Sequence, residues 1–133
     1  MDEKMKSKIV NHIENVVNRY LASELEYKFN GKILIVDFSA DWCPPCRFME
    51  EFFKDVIKKK YDNYVDIIQI DVEQENGNEL YRKHVAPLGV NSIPFLLVFD
   101  STGKCCCSIR GSNTAKLETV VRDLIENNED EKE

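Results

Sequence analysis

The sequence predicts an α/β fold, a central mixed sheet of about four strands flanked by helices on both faces. Three observations carry that prediction. "KILIVDFS" at 32–39 is an unbroken β-branched run of the kind that forms a central strand covered on both sides. "YVDIIQID" at 64–71 and "PFLLVF" at 94–99 are further strand-length apolar runs, set apart by segments with helical periodicity. "PFLLVF", "DSTG" and "KCCCSIR" at 104–110 then read as strand, tight turn and strand, an antiparallel hairpin that makes the sheet mixed.

The elements follow in order. Ile9, Ile13, Val16, Val17, Tyr20 and Leu21 fall on one side of an extra-long amphipathic N-terminal helix, within a helical segment 1–29. Asn30-Gly31 breaks that pattern as a turn. The first strand run carries Asp37, a charge with little reason to sit on a strand buried on both faces. From Arg47 to Lys60 a helix places Met49, Phe52, Phe53, Val56 and Ile57 inward and ends in "KKK", which suits a helix C-terminus. After the second strand, "VEQENGN" reads as a polar connection and "ELYRKHV" as a short helix stopped by "APLG". "SNT" opens a final helix with Leu117, Val120, Val121, Leu124 and Ile125 inward. Residues 1–127 thus form a single domain, and the acidic tail 128–133 is expected to be disordered because it has nothing to bury.

Composition narrows the function. A chain of 133 residues, 43% hydrophobic and 32% charged, is one ordinary globular domain. No apolar run approaches the roughly 18 residues of a membrane span. The net charge of −6 argues against nucleic-acid binding, which needs a basic surface. The N-terminus lacks the apolar stretch of a secretory signal, which points to the cytoplasm, or to a periplasmic or extracytoplasmic site if a leader was removed. Five cysteines at 43, 46, 105, 106 and 107 are not a disulfide framework, so reduced thiols are expected.

The chemistry lies in "SADWCPPCRF" at 39–48. With Cys43 as the N-cap of the following helix, Pro44 and Pro45 occupy the first two helical positions, where their missing N–H groups cost nothing. A sulfur at that place sits against free N–H groups and the positive end of the helix dipole, so its thiolate is favoured. Pro45 cannot donate, which leaves the Cys46 N–H as the donor to Cys43. Cys43 is then the exposed nucleophile, and Cys46, one turn in and facing the protein, resolves a mixed disulfide. The competing reading is half of a zinc site completed by Cys105–Cys107 or His84, but consecutive cysteines on a strand make poor joint ligands.

Three ordered matches make the chain resemble the thioredoxin-like superfamily over residues 30–127. They are "VDFSADWCPPCR", with an aspartate six residues before the first cysteine, "SIPFLLVFDSTGK", and Gly111 after the last strand. The resemblance implies a thioredoxin fold and a thiol-disulfide oxidoreductase with a Cys43–Cys46 redox-active disulfide and a WCPPC site. It implies that Asp37 shuttles the Cys46 proton, that Pro94 is cis, and that Ile93 pairs with an extended substrate segment. Trp42, with Pro44 and Pro45, would complete the substrate-binding surface. No cofactor or metal is implied. The implied partners are protein disulfide substrates and an upstream dithiol or flavoprotein reductase, and the chain is read as a monomer. The alternatives are a disulfide isomerase or oxidant in an oxidising compartment, and a non-catalytic binding adaptor.

The chain departs from that family pattern in three places, one of them the segment 73–90, which stretches the spacing from the cysteine pair to Pro94. The family's first strand is not visible, and aligning "QID" leaves Ile67 where many members carry a lysine near the aspartate. Strand alternation makes Cys105 and Cys107 core residues on the face of Ile109 and leaves Cys106 as the exposed thiol. Phe38 reads as core, and His12 and His84 as solvated or helix-end residues.

Overall fold

The computed structural model describes residues 21–131. The predicted N-terminal helix, with His12, falls mostly outside the described residues; within them 21–24 are helical, and Leu25 N–H closes the turn on the Leu21 carbonyl at 3.0 Å. The elements that follow are β1 (Ile33–Ser39), α1 (Pro44–Phe52), a π-helical turn (Phe53–Ile57), α2 (Lys58–Tyr61) and β2 (Val65–Asp71). After them come α3 (Glu75–His84), a 3-10 turn (Ala86–Leu88), β3 (Phe95–Phe99), β4 (Cys105–Arg110) and α4 (Thr114–Glu131). The sheet order is β2-β1-β3-β4. β1 pairs in parallel with β2 and antiparallel with β3, and β3 pairs antiparallel with β4. Among the described residues no strand pairs with the outer edge of β2.

Every residue from Ile33 to Phe38 is buried, because helices cover both faces of β1. Ile33, Ile35, Leu96, Val98 and Ile109 pack on one face against Met49, Phe53, Ile57, Leu117 and Val121. Leu34, Val36, Phe38, Phe95, Leu97 and Phe99 pack on the other against Leu21, Val85 and Val90. With about 25 cal/mol gained per Å² of apolar surface removed from water, these two layers dominate the stability. The π turn inside the helical stretch 44–61 was not predicted, yet Met49, Phe53 and Ile57, spaced by four, stay on the core side through it.

Two boundaries and one strand register differ from expectation. α3 starts at Glu75, so "ENGN" is helical and not a connection. Gly77 makes this possible: it is buried, and a Cβ there would collide with the Asp71 carbonyl oxygen at the end of β2. α4 runs to Glu131, into the segment read as a tail, since no Gly or Pro stops it and glutamate is a good helix former. β4 contains a register shift opposite Val98/Phe99, with Val98 facing Cys107 and Phe99 facing Cys105. That extra residue breaks the alternation. Cys107 packs on the Met49 face with Ile109, whereas Cys105 packs on the opposite face with Phe99. The expectation that Cys105 and Cys107 share a face is therefore wrong, although Cys106 is exposed as expected.

Candidate active site

The site forms where β1 ends and α1 begins. Cys43 is the N-cap of α1, with extended backbone (φ −90°, ψ 110°) and Pro44 and Pro45 in the first helical turn. Its sulfur accepts from the Cys46 N–H at 3.3 Å, the donor expected once both prolines had been excluded. Cys43 and Cys46 are joined as a disulfide with Cα atoms 5.2 Å apart. The Ile93–Pro94 peptide is cis, and the Ile93 carbonyl oxygen lies 3.7 Å from the Cys43 sulfur. Gly111, at φ +71°, donates its N–H to the Pro94 carbonyl at 2.9 Å, which ties the end of β4 to this loop. A left-handed backbone of this kind is where glycine carries no steric cost.

The two sulfurs face different openings. Cys43 lines an apolar groove of about 500 Å³ together with Trp42, Pro44, Val72, Tyr81 and Ile93. Cys46 lines a smaller polar cleft of about 130 Å³ with Ser39, Arg47, Glu50 and Gln69. Both cysteines are buried to the same degree, 3% exposed. The expected contrast between an exposed Cys43 and a hidden Cys46 is thus a contrast of direction rather than of exposure. The prolines and Trp42 stand over Cys43 and take the solvent in its place.

Asp37 is fully buried on the α1 side of β1, and among the described residues neither carboxylate oxygen has a hydrogen-bond partner. Burial pushes its pKa up to about 7; the nearby Gln69 side chain opposes the rise, and the Glu50 charge adds to it. A carboxyl in that state is cheaper to keep protonated than ionised. The parallel register sets Asp37 against Gln69, while Ile67 faces Ile35. Trp42 is 65% exposed, and its indole N–H donates to Glu73 Oε1 at 2.7 Å.

The structure brings Trp42, Cys43, Pro44, Pro45 and Ile93 together in one groove, whereas Pro94 and Asp37 are buried and do not line it. Sequence reasoning missed Glu50, Gln69, Glu73 and Tyr81. For Gln69 the signal was available, because pairing the two strands by their apolar ends gives the register. The other three are long-range contacts with no local mark. His84 is not solvated but buried, with Nε2 3.3 Å from Glu24 Oε1. Among the described residues no group of three or more His, Cys, Asp or Glu side chains could hold a metal ion, and no helix is long and apolar enough to cross a membrane.

The thioredoxin family model matches residues 11–123. The chain belongs to the thioredoxin family. It is 30% identical over 96 residues to the thioredoxin of Pongo abelii, covering 71% of this chain and 81% of the relative. To the thioredoxin of Borreliella burgdorferi it is 28% identical over 103 residues, covering 77% of this chain and 82% of that one. Among solved structures it superposes on the germline-specific thioredoxin Deadhead of Drosophila melanogaster with TM-score 0.61 and 26% identity, covering 80% of this chain and 92% of that one. With Schistosoma mansoni thioredoxin the TM-score is 0.59 at 29% identity, covering 78% and 86%. As a thioredoxin-family member with this cysteine pair, the protein is a thiol-disulfide oxidoreductase working by dithiol-disulfide exchange.

Proposed function

We propose that the protein reduces disulfides of other proteins in the cytoplasm, with Cys43 as nucleophile and Cys46 as resolving residue. The observation that carries this reading is the position of the Cys43 sulfur. It caps α1, accepts from the Cys46 N–H and lies beside the carbonyl that precedes a cis proline. The helix end and that N–H both favour the thiolate, which is the attacking form.

In the first step the Cys43 thiolate attacks one sulfur of the substrate disulfide; a mixed disulfide forms and the other substrate sulfur leaves as a thiolate that takes up a proton. Cys46, deprotonated in turn, attacks the Cys43 sulfur. The Cys43–Cys46 disulfide forms and the remaining substrate sulfur leaves. That sulfur also takes up a proton, so the substrate has gained two electrons and two protons, one proton from Cys46 and the other from solvent. Asp37 accepts the Cys46 proton, a role its raised pKa suits because base and thiol then exchange protons near neutral pH. Trp42, Pro44, Pro45, Ile93 and Pro94 hold the substrate segment. An upstream dithiol or flavoprotein reductase restores the dithiol.

The test is insulin reduction driven by dithiothreitol, together with the dithiol's reduction potential against glutathione. Turnover with a strongly reducing potential is expected. Cys43→Ser should abolish turnover, and Cys46→Ser should accumulate a mixed disulfide through Cys43. An oxidising potential would select an isomerase instead, and failure of Cys46→Ser to trap substrate would remove the assigned roles.

A further inference from the structure

The second opening at the disulfide, the cleft of about 130 Å³ beside Cys46, carries surplus negative charge. Asp41, Glu50 and Asp71 line it, against one cation, Arg47. Arg47 is tied to the backbone, its Nε donating to the Asp41 carbonyl oxygen at 2.7 Å. Glu50 has Lys54 3.7 Å away, but that pair is solvent-exposed and Lys54 does not line the cleft. Asp37 lies beneath. It is fully buried, and among the described residues neither of its oxygens has a hydrogen-bond partner. The two side chains that act on its charge, Gln69 and Glu50, both line the cleft. The other elements packed around it present apolar groups: Leu96 of β3 stands beside it in register, and α4 turns Leu117 and Val121 to the same layer.

A buried carboxyl without a partner, below a cleft with more carboxylates than cations, is a place where an added positive charge is stabilised from several sides. Among the described residues no three His, Cys, Asp or Glu side chains are grouped so as to hold a metal ion. The fit is therefore to a cation that brings its own hydrogen-bond donors, an ammonium or a guanidinium. The volume suits the end of one such side chain and not a whole peptide. The cleft starts at Cys46, whose Cα is 5.2 Å from that of Cys43. At about 3.5 Å per extended residue, a side chain within about three positions of a substrate cysteine reaches it once that cysteine is joined to Cys43.

We propose that the cleft beside Cys46 receives the basic end of a lysine or arginine that flanks the substrate cysteine in the mixed disulfide, and that this substrate-supplied cation readies Asp37 to take the Cys46 proton. The proposal deepens the reductase reading and rests on it. It defines a substrate class: disulfides with a basic residue within about three positions of the attacked cysteine.

The consequence falls on the resolving step. With its pKa near 7, Asp37 is mostly protonated at pH 6 and cannot accept a proton there. A cation in the cleft favours the carboxylate and lowers that pKa by about one unit. The ionised fraction at pH 6 then rises about fivefold, whereas at pH 8.5 it is nearly complete with or without the cation. Because the contact forms after the substrate is covalently held, it acts on this step and not on KM.

Two peptides with lysine or norleucine two positions from a cysteine, each joined in a disulfide to 2-nitro-5-thiobenzoate, test it with the full-length reduced protein. The Cys43 thiolate attacks the peptide sulfur and nitrothiobenzoate leaves as a thiolate; Cys46 then attacks the Cys43 sulfur and releases the peptide thiol. Acid quenching and mass spectrometry of the peptide–Cys43 adduct therefore follow the resolving step alone. The lysine adduct is expected to decay about fivefold faster than the norleucine adduct at pH 6 and at the same rate at pH 8.5. Gln69→Lys, an exposed position that brings its own cation to the cleft, should raise the norleucine adduct to the lysine rate at pH 6. Lysine moved to eight positions from the cysteine should return to the norleucine rate. Equal decay at pH 6, a difference that persists at pH 8.5, or a difference that survives Gln69→Lys overturns the cleft site. So does equal acceleration by the distant lysine, which would report only attraction to the chain's net charge of −6. If neither peptide is captured on Cys43 and insulin is not turned over, the reductase reading falls and the cleft site with it, whereas capture with equal resolution overturns the cleft site alone.

Discussion

Replacing Asp37 by asparagine in the oxidised protein separates the cost of burying a charge from the cost of burying a polar group. The Asp37 pKa stands near 7 in the folded protein against 3.8 in an exposed carboxyl, raised first by burial. The folded state therefore holds more protons than the unfolded chain between these values, and stability falls as pH rises from about 4 to about 7. Below 3.8 both states are protonated and the effect is absent; above 7 it is complete. A pKa raised by about three, at about 1.36 kcal/mol for each unit, gives about 4 kcal/mol of destabilisation carried by the ionised carboxylate at pH 8. The asparagine side chain would bury a neutral amide, whose own unpaired cost of roughly 1–3 kcal/mol does not depend on pH. Asp37→Asn should therefore be about 4 kcal/mol more favourable at pH 8 than at pH 4, relative to wild type. Urea denaturation of the oxidised forms at both pH values measures this, and the disulfide prevents Cys43 and Cys46 from titrating. A difference between the two proteins that is flat with pH would refute the argument, because it would mean that Asp37 ionises as freely folded as unfolded.

Gln69→Lys places a cation beside the same carboxyl and should lower its pKa by roughly 1–3 units, so the fall in stability should end correspondingly below pH 7; a carboxyl ¹³C titration reads the shift. Gly77→Ala forces a methyl group into the Asp71 carbonyl and should destabilise by about 2 kcal/mol or more in the same urea assay, despite alanine's better helix propensity. Cys106 is exposed, yet burial around its sulfur and the Asp100 charge push its thiol up to about 11. Its native alkylation at pH 7.5 should be about tenfold slower than that of an unperturbed cysteine, since the lost thiolate fraction outweighs the gain in nucleophilicity; mass spectrometry after timed iodoacetamide labelling checks this.

The parts of this fold that were legible in the sequence are those set by local periodicity and turn chemistry. The run 33–38 reads as a two-sided strand because all six residues are in fact buried, and "DSTG" reads as a turn because the Asp100 carboxylate can accept from the N–H groups of Thr102 and Lys104. The dithiol read correctly for a similar reason: two prolines before Cys46 leave only one nearby backbone donor. What failed depends on contacts between distant segments. Asn-Gly at 76–77 looks like a loop until β2 is brought against it, when the missing side chain becomes the condition for the approach of α3. The bulge in β4 could not be read from "KCCCSIR", since every residue in it suits a strand and only the pairing with β3 shows that one is extra. His84 does end α3 as read, but it is buried and not solvated, and Glu24 reaches it from a distant part of the chain.

Sidedness gives the site a division that simple exposure would not. Cys43 and Cys46 are equally buried, but one opens on an apolar groove and the other on a polar cleft, so under the proposed mechanism substrate and proton would use different openings. Glu50 lines the cleft and its charge helps to hold the Asp37 pKa up. Changes in the two openings should therefore have different kinetic signatures. A substitution on the groove side, such as Asn78→Trp, acts on KM for a protein substrate. One on the cleft side, such as Glu50→Gln, lowers the Asp37 pKa and moves the pH profile of the resolving step toward acid, with KM little changed.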